Sequence, residues 1–216
     1  MAKNGLIKED FQKANLKYPK LKLIFDEGNF YCKGEVDIFD SKNIYWDSFK
    51  IKISVPIKYY PYYFPLLFLE NDRIPNEEDR HINPDLSCCV EVEQKQLLRA
   101  KKGVKILDFL DEYVVPYFAG QLFYEKEKKW ANGDYEHGFD GKLQYYRELT
   151  GVWEKNKLLY ILKNLDKIKS MEMYKSCFCG SNNKLKFCHK DQVNSLLKLP
   201  KSQLEKDIST IERLLF

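Results

Sequence analysis

From Phe49 to Ile57 the chain alternates strictly: Phe49, Ile51, Ile53, Val55 and Ile57 interleave with Lys50, Lys52 and Ser54. A period of two places the apolar set on one face of a strand and the lysines on the other, which no helix can do. The chain must therefore build a half-buried strand and supply something to cover its apolar face. The flanking segments extend the pattern. Residues 21–25 and 30–39 have strand character, with Val36 and Ile38 alternating with polar neighbours, and residues 66–69 form a short apolar run. Tyr59 to Pro65 is rich in aromatics and proline and reads as a turn.

A helix over residues 8–17, with Phe11 and Leu16 apolar, precedes the strands. Residues 71–96 show no period. Helical spacing returns over residues 104–123 through Ile106, Leu107, Leu110, Val114 and Phe118, with Pro116 kinking or dividing it. After a glycine-bounded break at 133–138, two closing helices are expected over 143–149 and 152–168. A last helix is expected from Ser202 to Leu215, with Ser202 and Glu205 as a capping-box pair. Helix, strands, irregular loop and helices in that order define an α+β arrangement.

The chain has 216 residues, enough for one medium domain and an appendage. Hydrophobic residues at 44% and aromatics at 15% supply a core and exclude a disordered chain. The net charge of +4, spread without a basic block, does not call for nucleic acid. The opening residues lack the apolar segment of a secretory leader, and no apolar run reaches the roughly 18 residues of a membrane span. The expectation is a cytoplasmic protein without a membrane partner.

Six cysteines then carry most of the chemical information: Cys32, Cys88, Cys89, Cys177, Cys179 and Cys188. In a reducing compartment they serve as catalytic, metal-bound or buried thiols. Cys32 falls in a strand and reads as core. Cys88 and Cys89 follow the stretch RHINPDLS, in the long loop where function concentrates. Cys88 reads as a packing residue; an adjacent pair is too strained for a useful disulfide.

The order of parts around Cys89 resembles ubiquitin-conjugating enzymes. Tyr60-Pro61 and Pro65 match the family's proline turn, residues 66–69 its next strand, His81 and Asn83 its His-x-Asn element, and NPDLSCC its approach to the catalytic cysteine. Leu86 stands where the family has glycine, Ile82 where it has proline, and the interval from asparagine to cysteine is shorter. The resemblance covers roughly residues 5–125. It implies a thioester on Cys89, with Asn83 as oxyanion donor, His81 as a loop support and Asp85 orienting or deprotonating the incoming amine. A thiolate is both a good nucleophile and a good leaving group, so the residue type suits acyl transfer. His137, in GDYEHGFDG, reads either as a base for Cys89 or as a turn histidine capping a helix; Trp130 reads as a packing anchor.

Near the end of the chain, CFCGSNNKLKFCH offers Cys177, Cys179, Cys188 and His189, the soft ligand set of a closed, structural zinc site. So short a segment needs a metal staple to fold. The stretch resembles the SEC-C motif, with Asn182 in place of that family's second glycine and Leu185 in place of its aromatic. The resemblance implies a docking module, with Lys184 and Lys186 as exposed contacts. The organisation expected is a conjugating domain over 1–169, a zinc knuckle over 170–190 and a helical tail over 191–216.

The leading expectation is thus a bacterial conjugating-type acyl transferase. Stand-alone bacterial versions resemble components of antiphage operons, including CBASS. That implies as partner a ubiquitin-like protein or a cGAS-like nucleotidyltransferase, and a possible need for an activating enzyme. Two alternatives stand beside it: an inactive adaptor of the same fold that docks through the knuckle, and a cysteine hydrolase using Cys89 and His137.

Overall fold

A computed structural model describes residues 2–130 and 138–213. It divides into two compact units, one formed by residues 1–91 with 99–134 and one by 92–98 with 135–216.

The first unit begins with α1 (Ala2–Lys17), longer than the 8–17 expected. Ile7, Asp10 and Ala14 are buried in it, Phe11 is partly buried, and Tyr18 just beyond its end is buried too, spaced as one helical face requires. Four strands follow: β1 (Leu21–Asp26), β2 (Asn29–Phe39), β3 (Tyr45–Val55) and β4 (Leu66–Leu69). They form one antiparallel meander in sequence order. Its register places Val36 opposite Phe49, Cys32 opposite Ile53 and Ile53 opposite Leu67. The alternation read from the sequence holds over Phe49, Ile51, Ile53 and Val55, which are all buried, but β3 ends at Val55 and Ile57 lies beyond it, partly buried in the turn that follows Pro56. Gly34 has φ +145°, and a Cβ there would lie 2.2 Å from the carbonyl oxygen of Lys20, so only glycine lets the chain enter β1 at this point.

The apolar face of the sheet is covered by a helical run following the irregular loop. α2 (Glu93–Ala100) crosses between the two units' residue sets. α3 (Ile106–Phe109) and α4 (Val115–Glu127) are separated by a π-helical turn over Leu110–Val114. The expected disturbance at Pro116 takes this form: Pro116 has no amide to donate, and the amide of Val115 reaches back to Leu110 O. Phe118 of α4 stacks on Phe49 of β3 with ring centres 4.2 Å apart, at the centre of a core that also holds Ile106, Phe109, Leu110 and Val114.

The second unit is helical: α5 (Gly138–Thr150), α6 (Lys155–Lys163), α7 (Leu165–Met171), the single turn α8 (Leu185–Cys188), α9 (Lys190–Leu196) and α10 (Lys201–Arg213). Leu143, Tyr146, Leu158, Ile161, Ile168, Val193 and Ile211 are among its buried residues. Inside it, Tyr146 Oη and Gln94 Nε2 donate to Asp207 Oδ2 at 2.6 and 2.8 Å, and Gln203 Nε2 donates to Asp207 Oδ1 at 3.0 Å. α5–α7 belong to the same compact unit as the knuckle and tail residues. Ser202 is the second residue of α10 and not its cap, because the amides of Gln203 and Leu204 already bond Pro200 O. No helix among the described residues is long and apolar enough to cross a membrane.

Candidate functional site

The loop that carries Cys89 is built on buried supports. Arg80 is buried and donates through Nε to Gln121 Oε1 at 2.8 Å, while Gln121 Nε2 donates to Arg80 O at 2.7 Å. Tyr117 Oη donates to the same carbonyl at 3.2 Å. Two residues of α4 thus hold the base of the loop.

Beyond Arg80 the chain makes a tight hairpin. The amide of Asn83 bonds Ser87 O at 2.8 Å, and Ile82 pairs with Cys88 as an antiparallel bridge. The amide of Cys89 bonds His81 O at 2.7 Å, and that of Cys88 bonds Leu67 O of β4 at 2.8 Å. The stretch that has no period in the sequence therefore docks on the sheet edge through backbone bonds. Leu86, at the tip, has φ +67° and a largely exposed side chain. A glycine at that position would meet the left-handed conformation without penalty, whereas leucine bears a cost of about 1–2 kcal/mol.

The side chains of the hairpin form a relay. Asn83 Nδ2 donates to Ser87 Oγ at 3.0 Å, and Ser87 Oγ donates to Asp85 Oδ1 at 2.6 Å. The amide of Ser87 bonds the same carboxylate oxygen at 3.0 Å. These two bonds, hydroxyl first and amide second, hold Asp85 below the usual carboxylate range. Ser87 is buried at 3% exposure and is the member of this group that sequence reading missed. The Asp-x-Ser spacing, a common turn device, is the one sequence signal that marks it.

The structure brings His81, Asn83, Asp85 and Cys89 into one hairpin. The His81 ring lies 4.6 Å from Trp130, centre to centre, and Trp130 also packs on Tyr124 at 4.8 Å. His81 acts on the loop through its carbonyl. Cys88 is buried, and burial pushes its thiol up to about 12, as a packing residue requires. Cys89 is half-buried; burial and then the charge of Glu91 raise its thiol above the ordinary value. Near neutral pH it is held mainly as the thiol. Asn83 uses one amide hydrogen on Ser87. His137 lies outside the described residues.

The second constellation lies in the helical unit. Residues 173–177 and 183–186 pair as a short ladder: Lys186 N bonds Met173 O at 2.9 Å, Leu185 N bonds Lys175 O at 3.0 Å, and Cys177 N bonds Asn183 O at 2.7 Å. Gly180 (φ +85°) and Asn182 (φ +61°) make the connecting turn, so the left-handed position expected of glycine is served by asparagine, which tolerates it. The ladder converges Cys177, Cys179, Cys188 and His189, whose donor atoms lie within 4.8 Å of one another. Cys177 Sγ and Cys188 Sγ each lie 3.2 Å from His189 Nδ1, and Cys179 Sγ lies 3.6 Å from Cys188 Sγ. A tetrahedral zinc would separate such atoms by about 3.5–3.8 Å, so the donor set closes readily on one ion. The four residues could hold a metal. Gly151, at φ +66°, ends α5 against this cluster, where a Cβ would lie 3.5 Å from Cys179 Cβ and 3.6 Å from His189 Nε2.

Comparison with protein-family models, with curated proteins and with solved structures gives no match.

Proposed function

We propose that this chain is a conjugating-type acyl transferase of the ubiquitin-conjugating kind, with Cys89 as the thioester-bearing nucleophile. One observation carries the reading: a backbone-pinned hairpin sets Cys89, by its amide bond to His81 O, beside a loop that also holds Asn83 and Asp85. The helix and four-stranded meander before the loop, and the left-handed backbone at Leu86 where that family has glycine, support it.

In this reading Cys89 gives its thiol proton to water, and its thiolate attacks the acyl carbon of a donor thioester. The new S–C bond forms as the donor's acyl C–S bond breaks, and the donor's thiolate leaves to be reprotonated by water. An amine then attacks the Cys89 thioester. The oxyanion is met by an Asn83 amide hydrogen, the amine proton passes to Asp85 or to water, and the Cys89 thiolate departs as the amide forms. Cys177, Cys179, Cys188 and His189 would hold a zinc ion as a structural staple for the knuckle, a docking module in this reading. The donor would be a ubiquitin-like protein or a cGAS-like nucleotidyltransferase, loaded by an activating enzyme, in cytoplasmic antiviral defence. The test is conjugation by the purified chain with a loaded donor: Cys89→Ser should abolish transfer, and normal transfer by that variant would sink the assignment.

A second reading is favoured by two observations. The Cys89 thiol is raised, and the Asn83 amide is already tied to Ser87. In this reading the fold is an inactive adaptor, and alkylation followed by mass spectrometry would find Cys89 of the folded chain unmodified even above the ordinary thiol range, where the nucleophile of the first reading is labelled.

A further inference from the structure

We infer that the exposed face of the Cys/His knuckle is a docking surface for single-stranded nucleic acid. The net charge of the whole chain conceals a local imbalance: residues 173–190 contain Lys175, Lys184, Lys186 and Lys190 and no aspartate or glutamate, although Glu172 and Asp191 flank them. The knuckle ladder pairs the segment bearing Lys175 with the segment bearing Lys184 and Lys186. Two aromatic rings stand with them. Tyr174 is 72% exposed and Phe187 is 77% exposed. The Lys186 ammonium lies 4.5 Å from the centre of each ring.

The arrangement is anchored from beneath. Leu185 is buried at 1% exposure and Cys188 belongs to the metal-ligating set, so the single turn that carries Lys186 and Phe187 is held on both sides. Phe187 contributes almost nothing to the core at that exposure; the Lys186 ammonium lies over one face of its ring, and the opposite face is the one open to a base. A polyanion with planar bases matches both halves of the surface: phosphates meet the ammonium groups and bases stack on the rings, each stack being sequence-tolerant. An acidic peptide would use the lysines and leave the rings idle. The rings therefore decide for nucleic acid, and single strands rather than duplex, since only unstacked bases can reach them. This inference is independent of any chemistry at Cys89.

The test is fluorescence anisotropy of the full chain, purified without chelator, against a labelled oligouridylate at several salt concentrations. With three lysines engaged, log K should fall with log salt at a slope of about −2, and the Lys184→Ala/Lys186→Ala double variant should flatten it by about 1.4. Tyr174→Ala and Phe187→Ala should each weaken binding about tenfold. Metal released by acid and read with a chromophoric chelator should match the wild type in both ring variants, which separates lost contacts from a lost fold. No binding would overturn the inference. So would ring variants that bind normally, duplex RNA that binds as tightly, or polyglutamate that competes as well as oligouridylate. The last outcome would assign the surface to an acidic protein.

Discussion

Replacing Ser87 with alanine removes the centre of the hairpin relay without opening a sizeable cavity. Ser87 Oγ accepts from Asn83 Nδ2 at 3.0 Å and donates to Asp85 Oδ1 at 2.6 Å. A neutral hydrogen bond contributes about 1 kcal/mol, and one to a charged group about 1.5–3 kcal/mol. Asp85 is exposed, so its bond belongs at the low end, and both partners can rehydrate after the change. The expected loss is about 2 kcal/mol, confined to the N-terminal unit, or about 1 M in urea midpoint for a slope near 2 kcal/mol/M. The pH dependence gives a second handle. Asp85 has a depressed folded-state pKa, so its contribution is present above its unfolded value, about 3.9, and is lost as pH falls through the folded value. Ser87→Ala should diminish that acid-range slope. Urea melts of both proteins at pH 7 and in the acid range would measure both effects. Equal midpoints at pH 7 and superimposable acid profiles would refute the relay.

Iodoacetamide labelling of Cys89 should be slow at pH 7 and accelerate as pH rises past the ordinary thiol range; Glu91→Gln should shift that profile to lower pH. An unmoved profile would remove Glu91 as a cause. Metal stripping by a chelator, or Cys188→Ser, should reduce the helical circular dichroism of the C-terminal unit while leaving the urea transition of the N-terminal unit in place. Gly34→Ala should destabilise the N-terminal unit by about 3 kcal/mol, because its Cβ would meet a backbone oxygen that cannot step aside; a change under 1 kcal/mol, small on the scale of single substitutions, would contradict this.

The centre of the meander was legible because β2 and β3 each bury one face, and a period of two records that face directly. The Cys/His cluster was legible for a different reason: its ligands lie within one short segment, so the residue types and spacing already imply convergence. The hairpin around Cys89 was not. Its bonds to Leu67 O and to the α4 side chains that hold Arg80 come from distant sequence, and no local pattern announces them. His81 and Leu86, both at positive φ, carry no glycine to mark the turn. The grouping of α5–α7 with the tail was hidden likewise, since Tyr146 finds Asp207 across 61 residues. Pro116 marked a disturbance in the helical run; its form, a π turn over Leu110–Val114, is one of several that a missing amide allows.

The central claim concerns the Cys89 sulfur. Intact-mass spectrometry of the chain isolated from its native cells, without reductant, measures it directly. The account predicts a protein-sized adduct on Cys89 that thiol reductant removes, that Cys89→Ala lacks, and that Cys89→Ser retains as a reductant-resistant ester. An unmodified Cys89 in the presence of a loaded donor, or the same adduct on the Cys89→Ala chain, would contradict it.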